Sequence, residues 1–177
     1  MQMAFLGLGT NLGDRQGNLV VALRLLAADP AISGLLGSSV YSSKPVGVLE
    51  QPDFLNMVVE IETTHLPLAL LSVCLGIEAK LGRERRERWG PRIIDIDVLI
   101  YEQLPWSDEH LVLPHPRMHE RSFVLTPLAE IAPDLILNGV RARDLATRAG
   151  TAGLQRVTPW PEITALAGIP PCPPRAP

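Results

Sequence analysis

Ile93-Ile-Asp-Ile-Asp-Val-Leu-Ile-Tyr101 reads as a strand, and the arrangement of the whole chain turns on it. The run follows Gly90-Pro91 and is apolar except for two carboxylates at i and i+2. Alternate residues of a strand share a face, so Asp95 and Asp97 project together while Ile94, Ile96 and Val98 point the other way. Two carboxylates on one face of an apolar strand repel each other and resist burial. A bound cation relieves both problems, and oxygen donors favour Mg2+ or Mn2+. The plainer alternative is an exposed face with both Asp solvated, although Asp is a poor strand residue.

Upstream of this strand the pattern alternates between strand and helix. Residues 3–10 read as a buried strand, Asn11-Leu-Gly-Asp14 as a turn and helix start, and Leu19, Leu23 and Leu26 as the apolar stripe of a helix ending before Asp29-Pro30. Residues 35–43 form a second strand and run into the Pro/Gly-punctuated loop 44–53. Residues 54–63 form a third strand. A helix starting near Pro67 carries Leu70, Leu71, Cys74, Ile77 and Leu81. With 93–101 as the fourth strand, the expected fold class is α+β. Its core is a ferredoxin-like βαββαβ unit, an antiparallel sheet with helices on one face.

C-terminal additions follow: a hairpin over 102–113, a helix from about residue 117, a helix over 142–149 and a strand near 154–158. Residues 1–160 read as a single domain and 161–177 as a Pro-rich tail. The segment from Pro159 holds seven prolines in nineteen residues and is expected to be extended.

The chain has 177 residues, enough for one domain with a sizeable core, and 46% of them are hydrophobic. A net charge of −3 argues against a general nucleic-acid binder. Cys74 and Cys172 have no metal or redox spacing, and Cys74 falls on an apolar helical stripe. No basic leader and no run of transmembrane length is present, so a cytoplasmic protein without membrane contact is expected.

Just before the Asp pair, Arg83, Arg85, Arg86, Arg88 and Arg92 fall within ten residues, between Gly82 and the Asp-bearing strand. Guanidinium forks bind phosphate oxygens bidentately, so an Arg-rich loop beside two metal-binding Asp suits polyphosphate chemistry. The alternative is a solvated surface with local Arg–Glu pairs. His115, between two prolines, is open to either a structural or a functional reading. The Gly7-x-Gly9-Thr-Asn-x-Gly13 segment lacks the Lys-Ser/Thr of a P-loop, and its glycines are assigned to close packing or a tight turn. A ferredoxin-like RNA-binding module is the non-enzyme alternative, but only eight aromatic residues are available for base stacking. A nucleotidyltransferase is the enzyme alternative.

Taken together, four ordered motifs resemble the 6-hydroxymethyl-7,8-dihydropterin pyrophosphokinase family: Gly9-Thr-Asn-Leu-Gly13, Gln51-Pro-Asp-Phe-Leu-Asn56, Arg88-Trp-Gly-Pro-Arg-x-x-Asp-x-Asp97 and Pro114-His-Pro-x-Met-x-x-Arg-x-Phe123. The resemblance implies transfer of the β,γ-diphosphoryl unit of ATP to the pterin hydroxymethyl oxygen, releasing AMP, in folate biosynthesis. It implies two Mg2+ ions, with Mn2+ a possible substitute, on Asp95 and Asp97. Arg83, Arg85 and Arg92 join the two Asp as the implied catalytic set. Arg85, Arg88, Trp89, Arg92, Val98, His115 and Arg121 are the implied ATP contacts.

Ser43, Val46, Phe54, Asn56, Asp95 and Phe123 would meet the pterin, with Phe54 and Phe123 stacking on its ring. Phe54 stands where Tyr is common in the family, which keeps the stacking face and drops a hydroxyl. Glu78 matches a family Glu that would support the Arg and metal positions. The implied partners are ATP and the pterin alone, with the protein acting as a monomer or weak dimer.

Overall fold

The computed structural model describes residues 1–45, 50–82, 91–102 and 105–170. The chain begins β1 (Gln2–Thr10), α1 (Arg15–Ala27), β2 (Ile32–Gly37), β3 (Val40–Ser43), β4 (Phe54–Thr63), α2 (Pro67–Lys80) and β5 (Asp95–Tyr101). This is the expected β-α-β-β-α-β order with its second strand broken in two. The break falls at Ser38 and Ser39, where side chains take over ladder bonds. The Ser38 hydroxyl accepts from Val58 N–H at 3.0 Å, and Ser39 N–H donates to the Glu130 carboxylate at 3.1 Å.

Local chemistry starts both helices as the sequence predicts. Asp14 caps α1 by accepting from Gly17 N–H at 3.0 Å. A Cβ on Gly17 would lie 2.2 Å from the Asp14 carboxylate, so this cap needs glycine there. Pro67 occupies the first turn of α2, where its missing N–H leaves no bond unmade.

All pairings in the sheet are antiparallel, and β1 lies between β4 and β5. Ala4, Leu6 and Leu8 of β1, with Met57, Val59 and Ile61 of β4 and Ile96 and Val98 of β5, face α1 and α2 in the larger core. A bulge then resets the phase. Phe5 pairs with Ile100 but Leu6 pairs with Val98, which skips Leu99 and sends Leu99 and Ile100 to the opposite side.

That opposite side is covered by the C-terminal additions, which the sequence predicts without placing them on a face. After a hairpin of β6 (Trp106–Ser107) and β7 (Val112–Leu113), a 3-10 turn (Met118–Glu120) leads into α3 (Ser122–Ile131). A second hairpin, β8 (Ile136–Leu137) and β9 (Val140–Arg141), precedes α4 (Ala142–Ala149). It turns at Asn138-Gly139, both with positive φ. Met118, Val124, Leu128, Leu137 and Ala142 pack on Phe5, Val58, Leu99 and Ile100 as a second core. The single helix expected from about residue 117 is split because Arg121 is extended (φ −114, ψ 100).

The far end of α3 is fixed by Glu130. Its carboxylate accepts from Ser39 Oγ at 2.7 Å and Tyr41 Oη at 2.9 Å. Burial, then that bond to Glu130, pushes the Tyr41 hydroxyl up to about 12. The last strand, β10 (Leu154–Thr158), pairs with β3 and adds Arg156, whose Nε donates to Ser39 Oγ at 2.7 Å.

Beyond β10 the first part of the expected extended tail is instead a helix, α5 (Trp160–Ala167), and residues 171–177 lie outside the described residues. Two of the prolines counted against order, Pro159 and Pro161, sit at its N-cap and first turn, where proline favours a helix. Ile163 is fully buried in the larger core. The Trp160 ring lies where a Cβ on Gly37 would be, and Arg24 of α1 donates to Leu166 O at 2.7 Å and Ala167 O at 3.0 Å. Among the described residues no helix is long and apolar enough to cross a membrane.

If α5 is part of the core, Ile163→Ala should cost about 2–5 kcal/mol in urea unfolding. A cost below about 0.5 kcal/mol would match a loosely attached tail instead.

Candidate active site

The pairing register builds the site. Across β1 and β5, Gly9 is opposite Asp95 and Gly7 is opposite Asp97. Across β1 and β4, Gly9 is opposite Asn56 and Gly7 is opposite Val58. One strand further, Ser43 is opposite Phe54. Directly paired residues share a face. Asp95, Asn56 and Phe54 therefore face the same way, with a glycine between the carboxylate and the amide.

A pocket of about 190 Å³ opens over this row. One water needs only about 10–15 Å³, so the space admits a small organic molecule. Ser43, Phe54, Asn56, Arg92, Asp95, Asp97, Arg121 and Phe123 line it, all of them residues the sequence singles out.

Gly7 and Gly9 also line the pocket, and here the sequence reading needs correction. Neither is at a turn or a strand–helix contact; both lie inside β1, and a Cβ on either would project into the floor. On Gly9 it would sit 3.3 Å from Asn56 Oδ1, and on Gly7 3.3 Å from the Leu99 side chain. Only Gly13, with φ +64, serves the tight turn. Lys44, Arg117 and Glu120 are further lining residues that sequence reasoning missed. Arg117 and Glu120 sit three apart on the turn after His115, a spacing that could have flagged them.

The charged groups meet in pairs. Arg92 Nη1 donates to Asp95 Oδ2, and Arg121 Nη1 lies 3.6 Å from Asp97 Oδ2. The Arg121 guanidinium also lies 5.7 Å from the centre of the Phe123 ring. Lys44 donates to both Asp53 oxygens, at 3.1 and 2.9 Å. Although 38% of the Asp97 side chain is exposed, it opens into the pocket rather than to bulk water. Desolvation, then the Asp95 charge, raises its pKa against the pull of His115, Arg121 and Arg92.

Two further groups hold this cluster from behind. Glu78, 3% exposed, accepts from Ile96 N–H at 2.7 Å, which clamps the main chain between the two Asp. His115 follows a cis Leu113–Pro114 bond and donates its N–H to Leu99 O at 2.8 Å. Its Nδ1 accepts from Arg117 N–H at 3.2 Å, so the neutral ring carries its proton on Nε2. Burial lowers the His115 pKa, and the Asp97 charge opposes that shift. Asn56, 6% exposed, donates from Nδ2 to Ser43 Oγ at 2.9 Å.

Val98 turns its side chain into the larger core, which leaves only its main chain for a ligand. Cys74 is buried with its thiol pushed up to about 12, as a packed and unreactive side chain would be. Val46, Arg83, Arg85, Arg86, Arg88 and Trp89 lie outside the described residues.

The donor set fits a divalent cation that arrives with a polyphosphate. Among the described residues no group of three or more His, Cys, Asp or Glu could cage an ion alone. Mg2+ is usually held by one or two carboxylates together with phosphate oxygens and water, a share that Asp95 and Asp97 could supply.

A family model described as 7,8-dihydro-6-hydroxymethylpterin-pyrophosphokinase (HPPK) matches residues 5–133. The chain belongs to the HPPK family. A 2-amino-4-hydroxy-6-hydroxymethyldihydropteridine pyrophosphokinase of Methylorubrum extorquens is 51% identical over 157 residues, spanning 89% of this chain and 99% of that one. One from Bacillus subtilis is 47% identical over 129 residues, 73% of this chain and 77% of that one. Among solved structures, a Plasmodium falciparum HPPK-DHPS has the same fold, with a TM-score of 0.63 and 18% identity. The match covers 84% of this chain and 43% of that one, so the HPPK fold here is less than half of that longer chain.

The raised pKa of Asp97 has a signed consequence for stability. Below its ordinary value of 3.8 the group is protonated in both folded and unfolded states and costs nothing. As pH rises past that value and through the raised folded one, the native state loses stability. Without divalent ions, Asp97→Asn should therefore flatten this part of the pH dependence. It should raise the melting temperature at pH 7 by about 2–4 °C for each kcal/mol relieved. Thermal scans from pH 3 to 7 decide it, and a lowered melting temperature would refute the reading.

Proposed function

We propose that this chain transfers the β,γ-diphosphoryl unit of ATP to the hydroxymethyl oxygen of 6-hydroxymethyl-7,8-dihydropterin, with Asp95 and Asp97 holding two Mg2+ ions and Mn2+ able to replace them. The class of reaction comes with the family, whose members are pyrophosphokinases. One observation carries the assignment of residues. The two carboxylates and the Asn56 amide share one face of the sheet, joined across Gly7 and Gly9, so a polyphosphate and a flat polar heterocycle would meet in one pocket.

At the heterocycle end, Phe54 and Phe123 offer aromatic faces to the pterin. Asn56 offers its carbonyl and its second amide hydrogen to the polar edge of the ring, since Nδ2 gives one hydrogen to Ser43 Oγ. At the phosphate end, Arg92 and Arg121 reach the triphosphate from the rim and His115 offers its Nε2–H. Val46 and the arginines of residues 83–88, with Trp89, complete the contacts in this reading.

Bound divalent ions would neutralise phosphate charge and favour the ionised form of the pterin hydroxyl. The hydroxymethyl oxygen attacks the β-phosphorus in line, the bond to the bridging oxygen of the α-phosphate breaks, and AMP leaves while the hydroxyl proton passes to solvent. Arg92 and Arg121 stabilise the charge that develops on the transferred group. Neither Asp has to serve as a general base, since both are committed to the ions.

Product analysis with ATP and the authentic pterin tests the reaction, since pyrophosphoryl transfer yields AMP and a pterin diphosphate. Release of pyrophosphate would assign nucleotidyl transfer instead. Asp97→Ala should abolish turnover while the fold is kept, which circular dichroism can check. Arg92→Ala should lose about 2–4 kcal/mol of transition-state stabilisation, and a loss under tenfold in kcat/KM would move it to the periphery. Gly9→Ala should raise the pterin KM about tenfold with little change for ATP, because the new methyl group must displace Asn56.

A further inference from the structure

Both strands that carry the site are tied at their entry to one buried side chain. Asn11 is 1% exposed and lies outside the pocket lining. Its Nδ2 donates to Gln51 Oε1 at 2.9 Å and to Pro52 O at 3.2 Å. Its Oδ1 accepts from Arg92 N–H at 2.7 Å, and its own N–H donates to Arg92 O at 3.0 Å. Both amide hydrogens and the carbonyl are therefore engaged.

The bonded segments belong to different halves of the site. Gln51 and Pro52 lead into Phe54 and Asn56 on β4, while Arg92 leads into Asp95 on β5. These strands are not neighbours, because β1 lies between them and Asn11 stands just past its end. Nearby polar residues each serve one side. Arg15 donates to Asp53 O at 2.7 Å, and Asn18 donates to Leu12 O at 2.9 Å and Ile93 O at 3.1 Å. Asn11 bonds to both.

We propose that Asn11 is a positioning residue that couples the nucleotide half of the site to the pterin half. Its amide is planar and bonded at both ends. A ligand that orders the Arg92 segment therefore also orders the approach to Phe54, so the second ligand loses less conformational freedom on binding. By reciprocity the pterin must tighten the nucleotide by the same factor. The inference rests on the two-substrate reading above.

The test is calorimetric titration of 6-hydroxymethylpterin into the full chain, with and without Mg2+ and α,β-methylene-ATP. In the wild type the nucleotide analogue should tighten the pterin by a factor in the usual coupling range of about 5–150. Asn11→Ala should bring that ratio to within about threefold of one. Asn11→Asp keeps the acceptor for Arg92 N–H and loses both donors to residues 51 and 52. It should lose the coupling as well, and it serves as the second variant if the alanine protein does not fold. Asn18→Ala, which loosens only one side, should keep the wild-type ratio.

A merely structural role would weaken both ligands and leave the ratio intact, which would overturn the proposal. A wild-type ratio of one would also overturn it, yet leave the two-substrate reading standing. A wild type that binds neither ligand would sink both.

Discussion

The pairing of Gly9 with Asp95 and of Gly7 with Asp97 across β1 and β5 is the constraint on which the rest of the site depends. A slip of one residue in that register would turn both carboxylates into the core that now holds Ile96 and Val98. Glycine inside a strand costs roughly 0.5–1 kcal/mol relative to alanine. Here that cost comes with an open floor, because any side chain at position 9 would meet Asn56. The second core holds the other side of the pocket. It fixes α3 against the sheet, and α3 begins beside Arg121 and carries Phe123.

The electrostatics follow from the same geometry. Two like charges on alternate residues of one strand would destabilise an isolated sheet, and burial first, then the Asp95 charge, raises the pKa of Asp97. Arg92 and Arg121 each lie against one of the carboxylates. In the proposed reaction the same guanidinium groups would meet phosphate once the carboxylates had a cation to hold. Glu78 keeps the strand between the carboxylates in place from the helical side, by accepting from Ile96 N–H.

Much of this was legible from spacing alone. Period-two alternation placed Asp95 and Asp97 on one face and Ile94, Ile96 and Val98 on the other, and helical spacing found α1 and α2. What stayed hidden depends on long-range pairing. Nothing local says that Gly7 and Gly9 lie opposite the two Asp, so they read as packing or turn residues. The break at Ser38-Ser39 needs Val58 and Glu130, and the bulge at Leu99 needs Phe5 and Leu6. The C-terminal helix was missed for a different reason. A count of prolines does not distinguish those at a helix start, such as Pro159 and Pro161, from those in an extended segment. The resemblance to the family named residues that no periodicity could reach, among them Asn56 and Phe123, and both line the pocket.

The central place of β1 also bears on how the molecule comes to exist. β1 is synthesised before both of its partners, residues 54–63 on one side and residues 95–101 on the other. Until those partners emerge, its two edges are open and its apolar face has only the nearby helix to cover it. The floor of the pocket therefore cannot close before residue 101 has been synthesised. Folding must wait on contacts between residues far apart in the chain, which is the slow and aggregation-exposed regime of sheet assembly. Activity then waits on strands far downstream of β1, because its floor residues are completed by much later ones.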